Sequence, residues 1–342
     1  MISGSRNERS DKMKLTSDQL DRAAGVLVGV AVGDALGVPY EFQPASITSA
    51  TNFVPKMIGG GLGPYDPGEW SDDTQMTMCI AKALSGGADP LTTLGLDWIA
   101  LNFADWIRSG ATDVGGQTRY VLERTNTMID RNSGRHASLA MKRAAISAHQ
   151  RLGKSGGNGS LMRTAPVALR YLDDPEKMAA AAIAISKLTH FDDLAADACV
   201  IWCTLIRHAV LTGNLLTIVD LIKVIPPDRR QFWRKKLIQA IHANPAKFSP
   251  NGYVVTALQA TWAAVTLAVW AAETSEETFR DGIIRAVSAG NDTDTVAAIA
   301  GAVLGGLCGL DAIDGQWKAA INGWPSKSNA ATLIELAQSL TA

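Results

Sequence analysis

The sequence predicts an all-α protein, and three observations carry that reading. Alanine supplies 51 of the 342 residues and glycine 31, so small side chains that let helices pack closely dominate the composition. Aromatic residues reach only 6%, which argues against a sandwich or barrel. From Asp18 onward, apolar residues recur at helical spacing in stretch after stretch. A prior of roughly 150 residues per domain would divide this length in two. No composition shift marks a boundary, however, so we expect one compact helical domain over residues 17–342 behind a polar, aperiodic N-terminal extension, residues 1–16.

Each element has its own signal. Thr16 or Ser17 can cap a first helix in which Leu20, Ala24, Leu27 and Ala31 share a face. Gly25, Gly29 and Gly33 fall at every fourth position of it, a cost in helix propensity that points to close backbone contact. Residues 42–68 hold Pro44, Pro55, Pro64, Pro67 and the run Gly59-Gly60-Gly61, and read as a long irregular loop of the kind that often serves function. Further helices are expected near 73–85, 91–108, 115–129, 137–151, 176–187, 192–211, 215–223, 230–242, 253–272, 276–287, 294–308, 314–321 and 328–340. The breaks are uneven and no motif recurs, so a solenoid is not expected.

Charge and cysteine usage narrow the function classes. The formal net charge of −1 (32 Lys+Arg, 33 Asp+Glu) removes the general electrostatic case for nucleic acid or an anionic membrane. Residues 226–251 are the most basic segment and read as a solvated helix face. No uninterrupted apolar run of about 18 residues and no signal-like start is present. Cys79, Cys199, Cys203 and Cys308 lie inside apolar helical patterns, and Cys199/Cys203 at i,i+4 read as helix packing. The expectation is a reduced, cytoplasmic protein.

The chemistry-bearing residues are carboxylates at helix starts. Ser71-Asp72-Asp73-Thr74 precedes an apolar helix, and Asn291-Asp292-Thr293-Asp294-Thr295 precedes the strongly apolar Val296–Leu310. One such Asp is ordinary capping chemistry. Two segments that each crowd two acids beside hydroxyls are harder to explain without a compensating cation. An all-oxygen set suits Mg²⁺ or Mn²⁺ rather than Zn²⁺, and two ions about 3.5–4 Å apart activate water or orient an oxygen-rich substrate. Asp34 reads as a residue bonding a neighbouring backbone, and Glu41 as free to reach a site from the long loop. Ser155-Gly156-Gly157-Asn158-Gly159-Ser160 can present consecutive amides as a phosphate nest with Arg163 close by, or be only a flexible turn. His190 precedes another helix and, alone, reads as a hydrogen-bonded structural residue.

Together these segments resemble the ADP-ribosylglycohydrolase family. The likeness rests on GVAVGDALGVPYEF (29–42), WSDDTQM (70–76), TDVGGQT (112–118), GGNGSLMR (156–163), THFDD (189–193), NGYVV (251–255) and AGNDTDTVAAIAGAVLGG (289–306), in family order and spanning nearly the whole chain from residue 20. It implies a compact all-α fold around two Mg²⁺ or Mn²⁺ ions. Ser71, Asp72, Asp73, Asp292, Asp294 and Thr295 would be ligands, with Glu41 a conditional ligand or gate. The loop carrying Ser155, Gly157, Asn158, Gly159 and Ser160, with His190, would hold the diphosphate and proximal ribose, and Tyr253 would wall the pocket. One departure is Asn291, where many members have Gly; it leaves every implied ligand in place.

The implied activity is hydrolysis of the bond between ribose C1″ and a modified side chain, with Asp73 or Asp113 as general acid–base and arginine as the favoured linkage. Serine linkages, free ADP-ribose derivatives and nucleic-acid ends are used elsewhere in the family. Two other readings stay open. One is a non-catalytic, crystallin-like binding protein. The other is an immunity protein that counters an ADP-ribosyltransferase toxin by hydrolysis, or by occlusion through the N-terminal extension.

Overall fold

The computed structural model describes residues 13–129, 136–153, 155–326 and 328–342. In chain order its helices are α1 (Ser17–Gly37), α2 (Ala45–Thr48), α3 (Asp72–Ser85), α4 (Thr93–Arg108), α5 (Gly116–Met128) and α6 (Ala137–Leu152). They continue with α7 (Ala165–Arg170), α8 (Pro175–Ser186), α9 (Asp193–Thr212), α10 (Ile218–Leu221) and α11 (Pro227–Ala240). The last are α12 (Val254–Ala271), α13 (Ser275–Val287), α14 (Thr293–Cys308), α15 (Gly315–Ala320) and α16 (Ala330–Thr341). The one paired sheet among the described residues is a two-residue antiparallel pairing, Asn322–Gly323 with Ser328–Asn329. The all-α expectation holds, and a single hydrophobic core runs from Ala23 to Leu340.

Two expectations fail locally. The helix expected over 215–223 shrinks to α10 and a 3₁₀ turn, Ile222–Val224. Helix α7 forms where no helix is expected, because six residues carry no readable period and Pro166 sits in the first turn, where proline is tolerated.

The pair α1–α14 organises the molecule. A Cβ on Gly25 would lie 2.4 Å from the Gly305 carbonyl oxygen, one on Gly29 2.2 Å from Gly301 O, and one on Gly33 2.1 Å from Ala297 O. Real Cβ atoms do not approach so closely, so the glycine stripe lets the two backbones touch. As α1 ascends, α14 descends, and the register carries Gly37 to the first turn of α14, where a Cβ would meet Asp294 Cα at 2.3 Å. The close contact expected from the glycine spacing is thus the device that delivers the end of α1 to the acids of α14.

Helices α1, α9 and α12 are long and apolar enough to cross a bilayer by length and averaged hydropathy, which the uninterrupted-run criterion passed over. The protein itself buries 89%, 72% and 72% of those windows, so here they serve as core. Of the polar extension, residues 1–12 lie outside the described residues. Thr16 caps α1 in a capping box with Gln19, at the end of a 21-residue helix whose other end meets α14. At 1.5 Å per residue that places Thr16 about 30 Å from the acids.

Candidate metal centre and substrate cavity

Helices α3 and α14 aim their N-termini at the same point, and Asp72, Asp73 and Asp294 lie in those first turns. Unpaired amides and the positive end of the macrodipole make helix starts tolerant of acids. The geometry is fixed from α1. Asp34 Oδ1 accepts the Ser71 N–H (2.9 Å) and hydroxyl (2.7 Å), and Oδ2 accepts the Thr74 N–H (2.9 Å) and hydroxyl (2.6 Å). Asp34 therefore caps α3 from another helix, which agrees with its reading as a backbone-bonding residue. Burial raises its carboxyl to about 6, against the downward pull of those four bonds.

Carboxylate oxygens of Asp34, Asp73 and Asp294 lie within 4.8 Å of one another, and those of Glu41, Asp292 and Asp294 do the same. Asp294 belongs to both groups. Because Asp34 already accepts four bonds, the oxygens with capacity to spare are those of the other acids. Asp73 Oδ1, Glu41 Oε2 and Asp113 Oδ2 are buried with no hydrogen-bond partner. No ion pair among the described residues involves any of these carboxylates.

Such a cluster is costly as it stands. Burial first, then mutual repulsion, pushes Asp72, Asp73 and Asp294 well above the usual carboxylate range. Glu41 is pushed to about 9, by burial and then by Asp113, Asp292 and Asp72. A hard divalent cation satisfies the orphaned oxygens and the repulsion at once, so the donor set fits a metal site.

Above this floor opens a cavity of about 440 Å³, in the range of sites for drug-sized ligands. Glu41, Asp72, Asp113, Asp292, Asp294 and Thr295 form its acidic lining; Gly157, Asn158, Gly159 and His190 also line it, with Phe42 and Leu62 on its border. Asn158 Nδ2 donates to Asp292 Oδ2 (2.7 Å) and to Asn251 O (3.0 Å), so the glycine loop and the acidic floor are one bonded unit. Ser71 and Asp73 sit beneath the lining, where Asp73 Oδ2 has the Ser71 hydroxyl at 3.1 Å and that of Thr295 at 3.3 Å.

Other expected residues are placed differently. The glycine loop is anchored on one side: Asn158 N–H donates to Gly252 O (3.1 Å) and Gly156 O accepts from Val254 N–H (2.8 Å), a short bridge to residues 252–254 that uses one amide of the run. Ser155 turns its hydroxyl to His149 Nδ1 (2.7 Å), and Ser160 receives that of Ser186 (3.0 Å). The Tyr253 ring flanks Gly156 at the loop's outer edge, where a Cβ would be 3.0 Å from it. Arg163, expected to add charge to the nest, is fully buried and contacts Met76, Phe103 and Thr189 instead.

Two positioning residues went unread. Gln117 Nε2 donates to Thr189 O (2.9 Å) and Ser155 O (3.2 Å), tying α5 to the cavity wall. Asn251 Oδ1 accepts the Asp292 N–H (3.0 Å) while its Nδ2 donates to Gly290 O (2.9 Å). Both fall inside segments quoted above, TDVGGQT and NGYVV; only their bonding partners distant in sequence give them meaning.

Residues 15–342 match the family model described as ADP-ribosylglycohydrolase. The chain belongs to the ADP-ribosylglycohydrolase family. It is 28% identical over 305 residues to ADP-ribosyl-[dinitrogen reductase] glycohydrolase of Rhodospirillum rubrum, covering 87% of this chain and 89% of that protein. It is 31% identical over 312 residues to the ADP-ribosylarginine hydrolase Tri1 of Pseudomonas putida (strain GB-1), covering 89% and 75%. Among solved structures, a chain of an ADP-ribosylglycohydrolase-related protein complex superposes with a TM-score of 0.69 at 28% identity, over 95% of this chain and 99% of that one. Family membership and fold therefore agree with the resemblance read from the motifs.

Proposed function

We propose that this chain removes ADP-ribose from arginine side chains of modified proteins, using two Mg²⁺ or Mn²⁺ ions in a cytoplasmic setting. The observation that carries the reading is the pair of carboxylate groups sharing Asp294, with unpaired buried oxygens, at the floor of a ligand-sized cavity. Similarity to a hydrolase whose name specifies ADP-ribosylarginine supports the linkage, and similarity to one that acts on ADP-ribosylated dinitrogen reductase supports a protein substrate. The four free cysteines agree with a reducing compartment.

Asp73, Asp292, Asp294 and Glu41 would hold the cations, with Ser71, Asp72 and Thr295 beside them. When bound, the cations would polarise a water and the ribose hydroxyls. The chain's own residues do the rest. Asn158 and Asn251 hold Asp292 in place, and the Gly157–Gly159 wall with His190 orients the substrate. Of the two acid–base candidates, Asp113 borders the cavity and Asp73 lies beneath it, so we assign proton transfer to Asp113 with Glu41 at its side. Water supplies the new C1″–O bond and loses its proton to Asp113, the C1″–N bond breaks, and the leaving guanidine nitrogen takes up the proton that Asp113 received.

The test is incubation with arginine- and serine-linked ADP-ribosylated proteins, with Mg²⁺ or with EDTA, scoring free ADP-ribose. Release from the arginine linkage alone, lost in EDTA and in Asp113→Asn, is expected. Release from serine only would overturn the linkage. Binding of ADP-ribose with no release from either would favour the non-catalytic reading.

A further inference from the structure

Arg163 is a fully buried cation with no ion-pair partner among the described residues. Its guanidinium lies 4.4 Å from the centroid of the Phe103 ring, and Nη1 is 3.4 Å from Met76 Sδ. Its one short bond runs from Nη2 to Thr189 Oγ1 at 2.6 Å. Thr189 is also fully buried, and its hydroxyl has a second neighbour, His190 Nδ1 at 2.8 Å.

A guanidinium only donates, so the Thr189 oxygen accepts from Arg163. Its single hydrogen then has one place to go. Were Nδ1 protonated, both neighbours would donate to Thr189 and the hydroxyl hydrogen would be stranded in the core, against the rule that buried polar groups are paired. The arrangement that leaves neither the Thr189 hydroxyl hydrogen nor His190 Nδ1 unpaired runs Arg163 to Thr189 to His190, with Nδ1 as acceptor. A neutral imidazole with Nδ1 accepting carries its proton on Nε2. That edge faces the glycine loop: Cβ atoms on Gly157 and Gly159 would lie 3.2 and 3.3 Å from Nε2. No described residue bonds it, and His190 lines the cavity.

We propose that Arg163 and Thr189 are positioning residues that lock His190 in its Nε2-protonated tautomer, so that it presents one N–H donor to an oxygen of the ligand in the cavity. The ligand half of this rests on the cavity being the ADP-ribose site. Burial and the Arg163 charge also hold the ring to about 3, which keeps the imidazole neutral at physiological pH. A doubly protonated ring would have to donate to a hydroxyl that Arg163 already occupies as donor.

The tautomer is read directly by ¹⁵N NMR of the full chain at pH 7, with the His190 signals identified by their loss in His190→Gln. The wild type should show Nε2 protonated and Nδ1 unprotonated. Thr189→Val should give a mixture of tautomers and weaken ADP-ribose binding by about tenfold in calorimetry, the loss of roughly one hydrogen bond. Thr189→Ser should restore both, and thermal melts check that each variant is folded. An Nδ1-protonated wild type overturns the proposal, as does a folded Thr189→Val that keeps tautomer and affinity. A wild type with the expected tautomer that binds no ADP-ribose overturns the ligand half together with the functional reading, and leaves the lock standing.

Discussion

At the end of the α1–α14 pair where α1 starts, Glu276, Glu277, Asp311 and Asp314 border a cavity of about 360 Å³. At the end where α1 finishes, Glu41, Asp72, Asp113, Asp292 and Asp294 border one of about 440 Å³. The counts of acids are similar and their circumstances are not. At the first end all four acids are exposed, Arg280 shares the cavity, and the carboxylates serve backbone amides: Glu277 Oε2 accepts from Glu273 and Thr274, and Asp314 Oδ1 caps α15 through Gln316. At the second end the acids are mostly buried, no cation among the described residues forms an ion pair with them, and oxygens of Glu41, Asp73 and Asp113 stand unbonded. Acids in number do not make a site; buried acids without partners do, because an added cation settles their energy where they must otherwise hold protons.

The largest effect that separates the two ends is expected from Asp294, shared by both carboxylate groups. Asp294→Asn should weaken Mn²⁺ binding at least about 100-fold, the upper end of what removing even a supporting group costs a metal site. Without cation the same variant should melt higher than the wild type, because one buried like charge is gone. Asp314→Asn at the other end should leave Mn²⁺ affinity unchanged and stability nearly so, since asparagine caps a helix about as well as aspartate. Calorimetric titration and melts in EDTA read both arms. Equal Mn²⁺ affinities for the two variants would break the comparison.

A smaller effect is expected from pH. Asp72, Asp73, Asp294 and Glu41 have higher pKa values folded than unfolded, so between about pH 4 and 9 the folded chain holds the extra protons. In EDTA, stability should fall as pH rises through that window. Saturating Mg²⁺ keeps these acids ionised and should remove the trend. What remains is His190, lowered from 6.5 to about 3, whose proton is taken up by the unfolded chain first. Its contribution is complete above about pH 6.5 and is lost as pH falls toward 3, amounting to about 2 kcal/mol between pH 7 and 5. Urea melts from pH 5 to 8 with and without Mg²⁺ test both slopes; since the His190 rise is present in both series, an EDTA series that climbs with pH as steeply as the Mg²⁺ series would refute the account of the cluster.

The contrast also explains what was legible in the sequence. Asp73, Asp292 and Asp294 stood out because crowding acids before apolar helices violates local electrostatic sense, and the violation is written in adjacent letters. The glycine stripe of α1 was legible for the same reason, as a helix paying propensity at a fixed period. Gln117 and Asn251 were not legible, since each acts on backbone groups 38 to 72 residues away along the chain. The anchoring of the glycine loop through the Asn158 amide and the Gly156 carbonyl was equally hidden, because the bridge to residues 252–254 depends on tertiary placement. The length prior failed because the floor of the cavity draws on residues 41 to 295, leaving no point at which two domains could part.

The smallest expected effect concerns the turn that sets Asp292. Asn291 holds φ +58°, and its carbonyl accepts the N–H of Phe42, itself at φ +50° (2.7 Å). Two left-handed residues are thus bonded to one another, each preceding or following an acid of the floor. Asparagine tolerates this backbone and glycine adopts it freely. Asn291→Gly should therefore keep Mn²⁺ affinity within about twofold and stability within about 0.5 kcal/mol, as for a surface change that removes one exposed bond, that to Ser249 Oγ. Asn291→Val keeps neither advantage: a β-branched residue at positive φ costs about 1–2 kcal/mol. The turn can shed that strain only by moving Asp292 off Asn251 and Asn158, so its Mn²⁺ affinity should fall along with its melting temperature. If valine lowers stability but leaves cation binding intact, the turn is not what aims Asp292, and the bonds from Asn251 and Asn158 suffice by themselves.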